Sequence, residues 1–169
     1  TIANAEIAAV AAVGVGNPYA LVRAEIARPI RIETVLPPDA RSLPYSGHFG
    51  TMMAPALIER LDLAHPTLVF CNTRAQAEVW YQVIVSARPD WFEWMGLHHG
   101  SIDAGERTRV EDGLKSGEIK LVVCTASLDL GVDLSPVERV VQVGSPKGIA
   151  RLIQRAGRSA HRPGATAEV

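Results

Sequence analysis

Cysteine, lysine and long apolar runs are scarce in these 169 residues, and each scarcity excludes something. Two cysteines, Cys71 and Cys124, are too few for a disulfide framework. Both sit inside short apolar segments, which points to a reducing, intracellular compartment. No apolar stretch reaches the ~20 residues that a membrane span needs. Net charge is also small: 17 basic against 18 acidic residues leave −1, which argues against a polybasic, histone-like partner as far as an average can. Only 3 lysines stand against 14 arginines, a ratio that reflects codon usage or a demand for bidentate anion contacts. The chain begins Thr1-Ile2-Ala3 with no initiator Met, basic leader or cleavage site, and ends at Ala167-Glu168-Val169. It reads as a cut from a longer protein. What is present is globular in character, 47% hydrophobic and 21% charged, and fits about one domain with a sizeable core.

The Ala-rich segment 3–13 predicts a short helix ended by Gly14-Val15-Gly16-Asn17-Pro18. Leu21 to Ile26 and Ile30 to Leu36 are β-prone, and Pro37-Pro38 opens an irregular polar stretch to about Gly50. A helix is expected over 54–62. From Thr67 the pattern becomes regular. Leu68 to Cys71, Trp94 to Leu97, Leu121 to Cys124 and Arg139 to Val143 read as four short strands. Between them, Thr73 and Gln76 form a capping box for a helix over 74–87, with Ala77, Trp80, Tyr81 and Ile84 on its apolar face. Asp103 and Glu106 open a second helix that ends near Ser116-Gly117. Ser145 as N-cap and Pro146 at the first position predict a third, with Ile149, Leu152, Ile153 and Ala156 on one face. Strands alternating with helices of this length give a mainly parallel sheet covered on both faces. In such sheets ligands bind beyond the carboxyl ends of the strands. The segments singled out are therefore Asn72-Thr73-Arg74, His98-His99-Gly100-Ser101, Thr125-Ala126-Ser127 and Gly144-Ser145.

The average charge hides an asymmetry. Between Glu138 and Glu168 there is no acidic residue, while Arg139, Lys147, Arg151, Arg155, Arg158 and Arg162 give a local +6. The last five are spaced 4, 4, 3 and 4 apart, which would stack them on one helical face. Such a face is either merely solvated or an anion site for the phosphates of a nucleotide or nucleic acid. The small residues of Gln154-Arg155-Ala156-Gly157-Arg158-Ser159-Ala160-His161 favour the second reading. His98 and His99 lack the partners of a zinc site, so no metal is expected there. Trp80 belongs to the core, and Trp91 and Trp94 are expected to pack rather than stack on bases.

Gln154 to His161 resembles motif VI of superfamily 2 helicases. Val69-Phe70-Cys71-Asn72-Thr73-Arg74 resembles motif IV, His98-His99-Gly100-Ser101 motif IVa, and Cys124-Thr125-Ala126-Ser127-Leu128-Asp129-Leu130-Gly131-Val132-Asp133 motif V. Arg28 to Ile32, Leu36-Pro37-Pro38-Asp39, Gln142 to Gly148 and the terminal His161 resemble the large helicase-related (Lhr) group, with the bacterial ligase-associated DEXH-box helicases the best fit. The resemblance implies a three-layer α/β RecA-like fold of the P-loop NTPase type. Residues 29–169 would be the second RecA-like (helicase C-terminal) domain, and residues 1–28 the tail of the first and the crossover. The chain has no GxxxxGK[ST] loop and no DExH box, the parts that hold phosphates and Mg²⁺. On this resemblance they belong to the first RecA-like domain, and the present chain should be inactive alone.

By motif position the resemblance implies Arg158 as the arginine finger, with Gly131, Asp133, Arg155 and His161 at the ATP. For Arg155 a structural ion pair is the alternative, and for Asp133 a capping role. Asn72, Thr73, Arg74, His99, Gly100, Ser101 and Thr125 would contact nucleic acid. The implied activity is that of a motor domain in an ATP-dependent 3′-to-5′ DNA helicase of DNA repair. ATP with Mg²⁺ would be its cofactor, single-stranded or tailed DNA its partner, and the cytoplasm and nucleoid its place, with a functional link to DNA ligase and no membrane. An RNA helicase of the same superfamily and a non-catalytic RecA-like scaffold are the rivals.

Overall fold

The computed structural model describes residues 4–22, 29–36, 50–129, 136–159 and 166–169. Along the chain run α1 (Ala5–Val13), β1 (Ile30–Arg31), α2 (Ala54–Ile58), β2 (Thr67–Phe70), α3 (Arg74–Ala87) and β3 (Met95–His98). They are followed by α4 (Ala104–Ser116), β4 (Leu121–Cys124), β5 (Arg139–Gln142), α5 (Ile149–Ala156) and β6 (Ala167–Glu168). The six strands form one sheet in the order β1-β6-β5-β2-β4-β3, and every pairing is parallel.

Strict alternation along the central strands builds the three layers. Val69 of β2, Cys71 just after it, and Leu121 and Val123 of β4 face the cluster completed by Ala54, Leu57, Ala77, Trp80 and Ile84 from α2 and α3. Leu68, Phe70, Val122 and Cys124 face the opposite cluster, with Val110 and Leu114 from α4 and Leu128. Trp80 is buried, as its place on the α3 stripe required. Trp91 is buried too, but Trp94 is 43% exposed, against the expectation that both would pack. Cys71, one residue past the end of β2, and Cys124, the last residue of the adjacent β4, belong to clusters on opposite faces of the sheet, and both are free thiols.

Local chemistry explains the helix ends. Thr73 Oγ1 accepts the Gln76 N–H at 3.1 Å, which caps α3. The Gln76 side chain reaches one residue further back than a capping box requires and accepts the Asn72 N–H at 2.8 Å. Asp103 caps α4 through the Gly105 N–H, and Gly117 in the left-handed region ends it.

Three expectations are corrected. The β-prone segment 30–36 forms only the two residues of β1, which pair with an unforeseen final strand, β6. The helix expected over 54–62 is shorter, Ala54–Ile58 behind a 3₁₀ turn over Thr51–Met53. The last helix begins at Ile149, not at Pro146. Gly144 (φ 71°), Lys147 (φ 56°) and Gly148 (φ 132°) all have positive φ, so no helix can run through them.

Candidate nucleotide and nucleic-acid site

Parallel pairing puts all strand ends on one edge. Phe70, Cys124, Gln142 and His98 share a row across β5, β2, β4 and β3. The residues that follow them, on the same edge, include Asn72-Thr73-Arg74, His99-Gly100-Ser101, Thr125 and Gly144-Ser145. The structure thus brings the sequence-selected segments together along one rim.

On the α3 side of that rim, Arg74 is exposed and its Nη1 donates to Ser101 Oγ. Ser101 N–H in turn donates to His99 Nδ1 at 3.3 Å, and His99 Nε2 lies 3.2 Å from Glu78 Oε1 on α3. His99 is buried, so it anchors the 99–101 loop from beneath while Ser101 and Gly100 face outward. Asn72 is a strut. Its Nδ2 donates to the Ser145 carbonyl at 2.9 Å, tying the end of β2 to the end of β5. Gly144 lies alongside, with 3.6 Å between Asn72 Nδ2 and the place a Cβ would occupy. Thr125 closes the row: its N–H donates to the His98 carbonyl at 3.2 Å, and it opens the 3₁₀ turn Ala126–Leu128.

The basic segment is not a single face. Only Arg151 and Arg155 lie in α5, Lys147 precedes it in a left-handed turn, and Arg158 follows it. Arg155 is 1% exposed. Its Nε donates to Asp129 Oδ1 at 2.8 Å, its Nη2 to Oδ2 at 3.4 Å and its Nη1 to Gln142 Oε1. The guanidinium also stacks over Phe70, 4.5 Å from the ring centre. The geometry is that of the structural ion pair: the cation faces the core side of the sheet, not solvent. A spacing rule could not show this, because Asp129 lies 26 residues away. Exposed Arg151 comes only to 3.9 Å of the same carboxylate.

Arg158 stands in the turn that this clamp holds. Its backbone N–H bonds the Arg155 carbonyl at 2.8 Å, and the next residue, Ser159, is buried with its hydroxyl on the Ala156 carbonyl at 2.9 Å. Gly131, Asp133 and His161, the other residues expected at ATP, lie outside the described residues, as does Arg162.

The sequence pattern gave no role to Asp129, Gln142 or Glu111, and placed Ser127 only within its strand-end segment. Glu111 and Ser127 bracket His98: Nδ1 is 2.7 Å from Ser127 Oγ and Nε2 3.0 Å from Glu111 Oε1. Burial pushes the His98 imidazole below its ordinary value of 6.5, against the pull of Glu111. Burial likewise pushes the Cys71 thiol up to about 12. Among the described residues no three His, Cys, Asp or Glu side chains converge as a cation site, and no helix is long and apolar enough to cross a membrane.

The helicase conserved C-terminal domain family matches residues 53–164 of this chain. An ATP-dependent helicase Lhr-Core protein 2 of Thermococcus barophilus is 40% identical over 114 residues, covering 65% of this chain and 13% of that protein. The ATP-dependent helicase Lhr-Core of Methanocaldococcus jannaschii is 33% identical over 150 residues, 89% of this chain and 18% of the relative. The solved structure of Mycobacterium smegmatis helicase Lhr bound to ssDNA and AMP-PNP superposes with a TM-score of 0.70 at 31% identity, over 84% of this chain and 19% of that one. The chain therefore spans less than a fifth of the length of these relatives. The sheet, the shared rim and the family match converge: this chain belongs to the helicase C-terminal domain family, as the second RecA-like domain of Lhr-type superfamily 2 helicases.

Proposed function

We propose that this chain is one motor domain of an ATP-dependent 3′-to-5′ DNA helicase, supplying the arginine finger and one set of strand contacts. The observation that carries the reading is the rim. Arg74, Ser101 and Thr125 stand at neighbouring strand ends as phosphate donors, while Arg158 sits on a turn braced by the buried Arg155–Asp129 pair. An arginine aimed at the γ-phosphate from across an interdomain cleft stabilises the charge that develops in phosphoryl transfer. In this reading the P-loop and Mg²⁺ belong to the first RecA-like domain, and Gly131, Asp133 and His161 join Arg158 at the nucleotide. Arg155 acts by bracing the turn.

Binding of ATP draws Arg158 toward the first domain. Release after hydrolysis lets the rim shift its grip on the strand by phosphate contacts, which carry no sequence information. The family resemblance to ligase-associated helicases supports a place in DNA repair. The test uses the full-length protein. Arg158→Ala should lower ATP turnover by about 10³-fold or more while leaving single-stranded DNA affinity within a factor of about two. Turnover near the unaltered level removes the finger assignment. Stimulation of the ATPase by RNA in preference to DNA reassigns the substrate.

A further inference from the structure

The 3₁₀ turn that follows Thr125 lacks a side-chain cap of its own. β3 and β4 stop pairing at His98 opposite Cys124, so the next residue, Thr125, leaves the sheet without a ladder partner beyond it. Three groups of His98 take over. Its carbonyl accepts the Thr125 N–H at 3.2 Å and lies 3.1 Å from Ser127 Oγ, and its Nδ1 is 2.7 Å from the same hydroxyl. The far ring nitrogen is fixed on Glu111 of α4 at 3.0 Å. A carboxylate only accepts, so Nε2 carries the hydrogen, and Nδ1 of the neutral ring shares the one Ser127 hydroxyl hydrogen with the His98 carbonyl. His98 is 1% exposed. On the other side of the turn, Asp129 is held by Arg155. The turn carrying Thr125 is thus pinned at both ends.

We infer that His98 is a positioning residue for strand binding: clamped by Glu111, it holds Ser127 and through it sets Thr125 in register with Arg74 and Ser101 on the rim. This rests on the nucleic-acid reading above. The alternative is a buried histidine that merely fills and satisfies the core. The two differ in which ring nitrogen matters. Asparagine places a polar group near the Nδ1 position and keeps the Ser127 link. Glutamine reaches the Nε2 position, keeps Glu111 and loses Ser127.

The test measures ATPase activation by an oligothymidylate in the full-length protein, comparing His98→Asn, His98→Gln, Ser127→Ala and Thr125→Val. The DNA concentration for half-maximal activation should rise about tenfold in His98→Gln and Ser127→Ala, the effect of leaving one buried polar group unpaired. Turnover at saturating DNA should stay within about twofold, and in His98→Asn, which keeps the Ser127 link and gives up only the Glu111 contact, the rise should be about threefold or less. Equal losses in His98→Asn and His98→Gln, or an unchanged DNA dependence in Ser127→Ala, overturn the positioning role. The two readings fail separately. If Thr125→Val weakens DNA activation and Ser127→Ala does not, only the inference falls. If Thr125→Val has no effect, the strand-contact reading falls and takes the inference with it.

Discussion

Replacing Arg155 by methionine should be the most damaging single substitution in the rim. The side chain is 1% exposed, and its partner Asp129 shows 9% of its side chain to solvent. Removing one member of such a pair leaves the other charge buried and unpaired, which costs about 3–5 kcal/mol. Loss of the contact with the Phe70 face adds to this, at about 0.5–2 kcal/mol. Arg151 offsets part of it. It already lies 3.9 Å from Asp129 but is 45% exposed, so its contribution is below about 1 kcal/mol. The net expectation is a loss of about 3–6 kcal/mol, a fifth or more of the stability of a typical domain. For a domain of this size that lowers Tm by roughly 10 °C or more. Urea unfolding of the 169-residue chain followed by circular dichroism gives the same quantity, provided the denaturant slope is unchanged. Adding Asp129→Asn to Arg155→Met should restore about 2 kcal/mol, because the stranded charge is then gone. A loss below about 1 kcal/mol for the single variant refutes the reasoning, as does a double variant no more stable than Arg155→Met.

Two further outcomes follow from the core and from the buried imidazole. At Gly96 a Cβ would meet Val110 Cγ1 at 2.8 Å, and a β-branched neighbour cannot swing away, so Gly96→Ala should cost about 1–3 kcal/mol in urea unfolding, with recovery in Gly96→Ala/Val110→Ala. The folded state holds His98 below its unfolded value near 6.5, so the unfolded chain binds the extra proton and stability falls as pH drops below that value. Tm measured from pH 7.5 down to about 5.5 should decline less steeply in His98→Asn, and an unchanged slope would mean that the imidazole is not the group titrating.

The regular half of the fold was legible because period-2 and period-3.6 patterns record burial directly. Val69 against Leu68, and Ala77, Trp80 and Ile84 along α3, announce which side of the sheet each faces. Thr73 and Asp103 mark helix starts through chemistry that acts within three residues. The failures share a cause: a distant partner or a backbone turn overrode the local pattern. Ser145-Pro146 is a sound helix opening in isolation. Here the Ser145 carbonyl is taken by Asn72, and the chain turns twice through positive φ before α5 begins. Charge spacing put Arg155 on a solvent face because spacing carries no information about Asp129. β6 was invisible since two residues pairing with two have no periodicity. Of the candidate site, the strand-end rule found the rim segments, Ser127 among them, but not the Glu111 that holds His98 beneath it.

The engagement of Arg155, together with that of Arg139, has a consequence for how salt acts on strand binding. Arg139 is 3.4 Å from both Glu168 and Asp62, and Arg155 is enclosed by Asp129. At least these two of the six cations in the stretch without acidic residues are therefore neutralised internally and displace no counterions from a bound strand. For single strands each phosphate-neutralising cation contributes about 0.7 to the slope of log affinity against log salt concentration. The slope for this segment should be at least about 1.4 shallower than its formal charge suggests, so binding should persist to higher ionic strength than the arginine count implies.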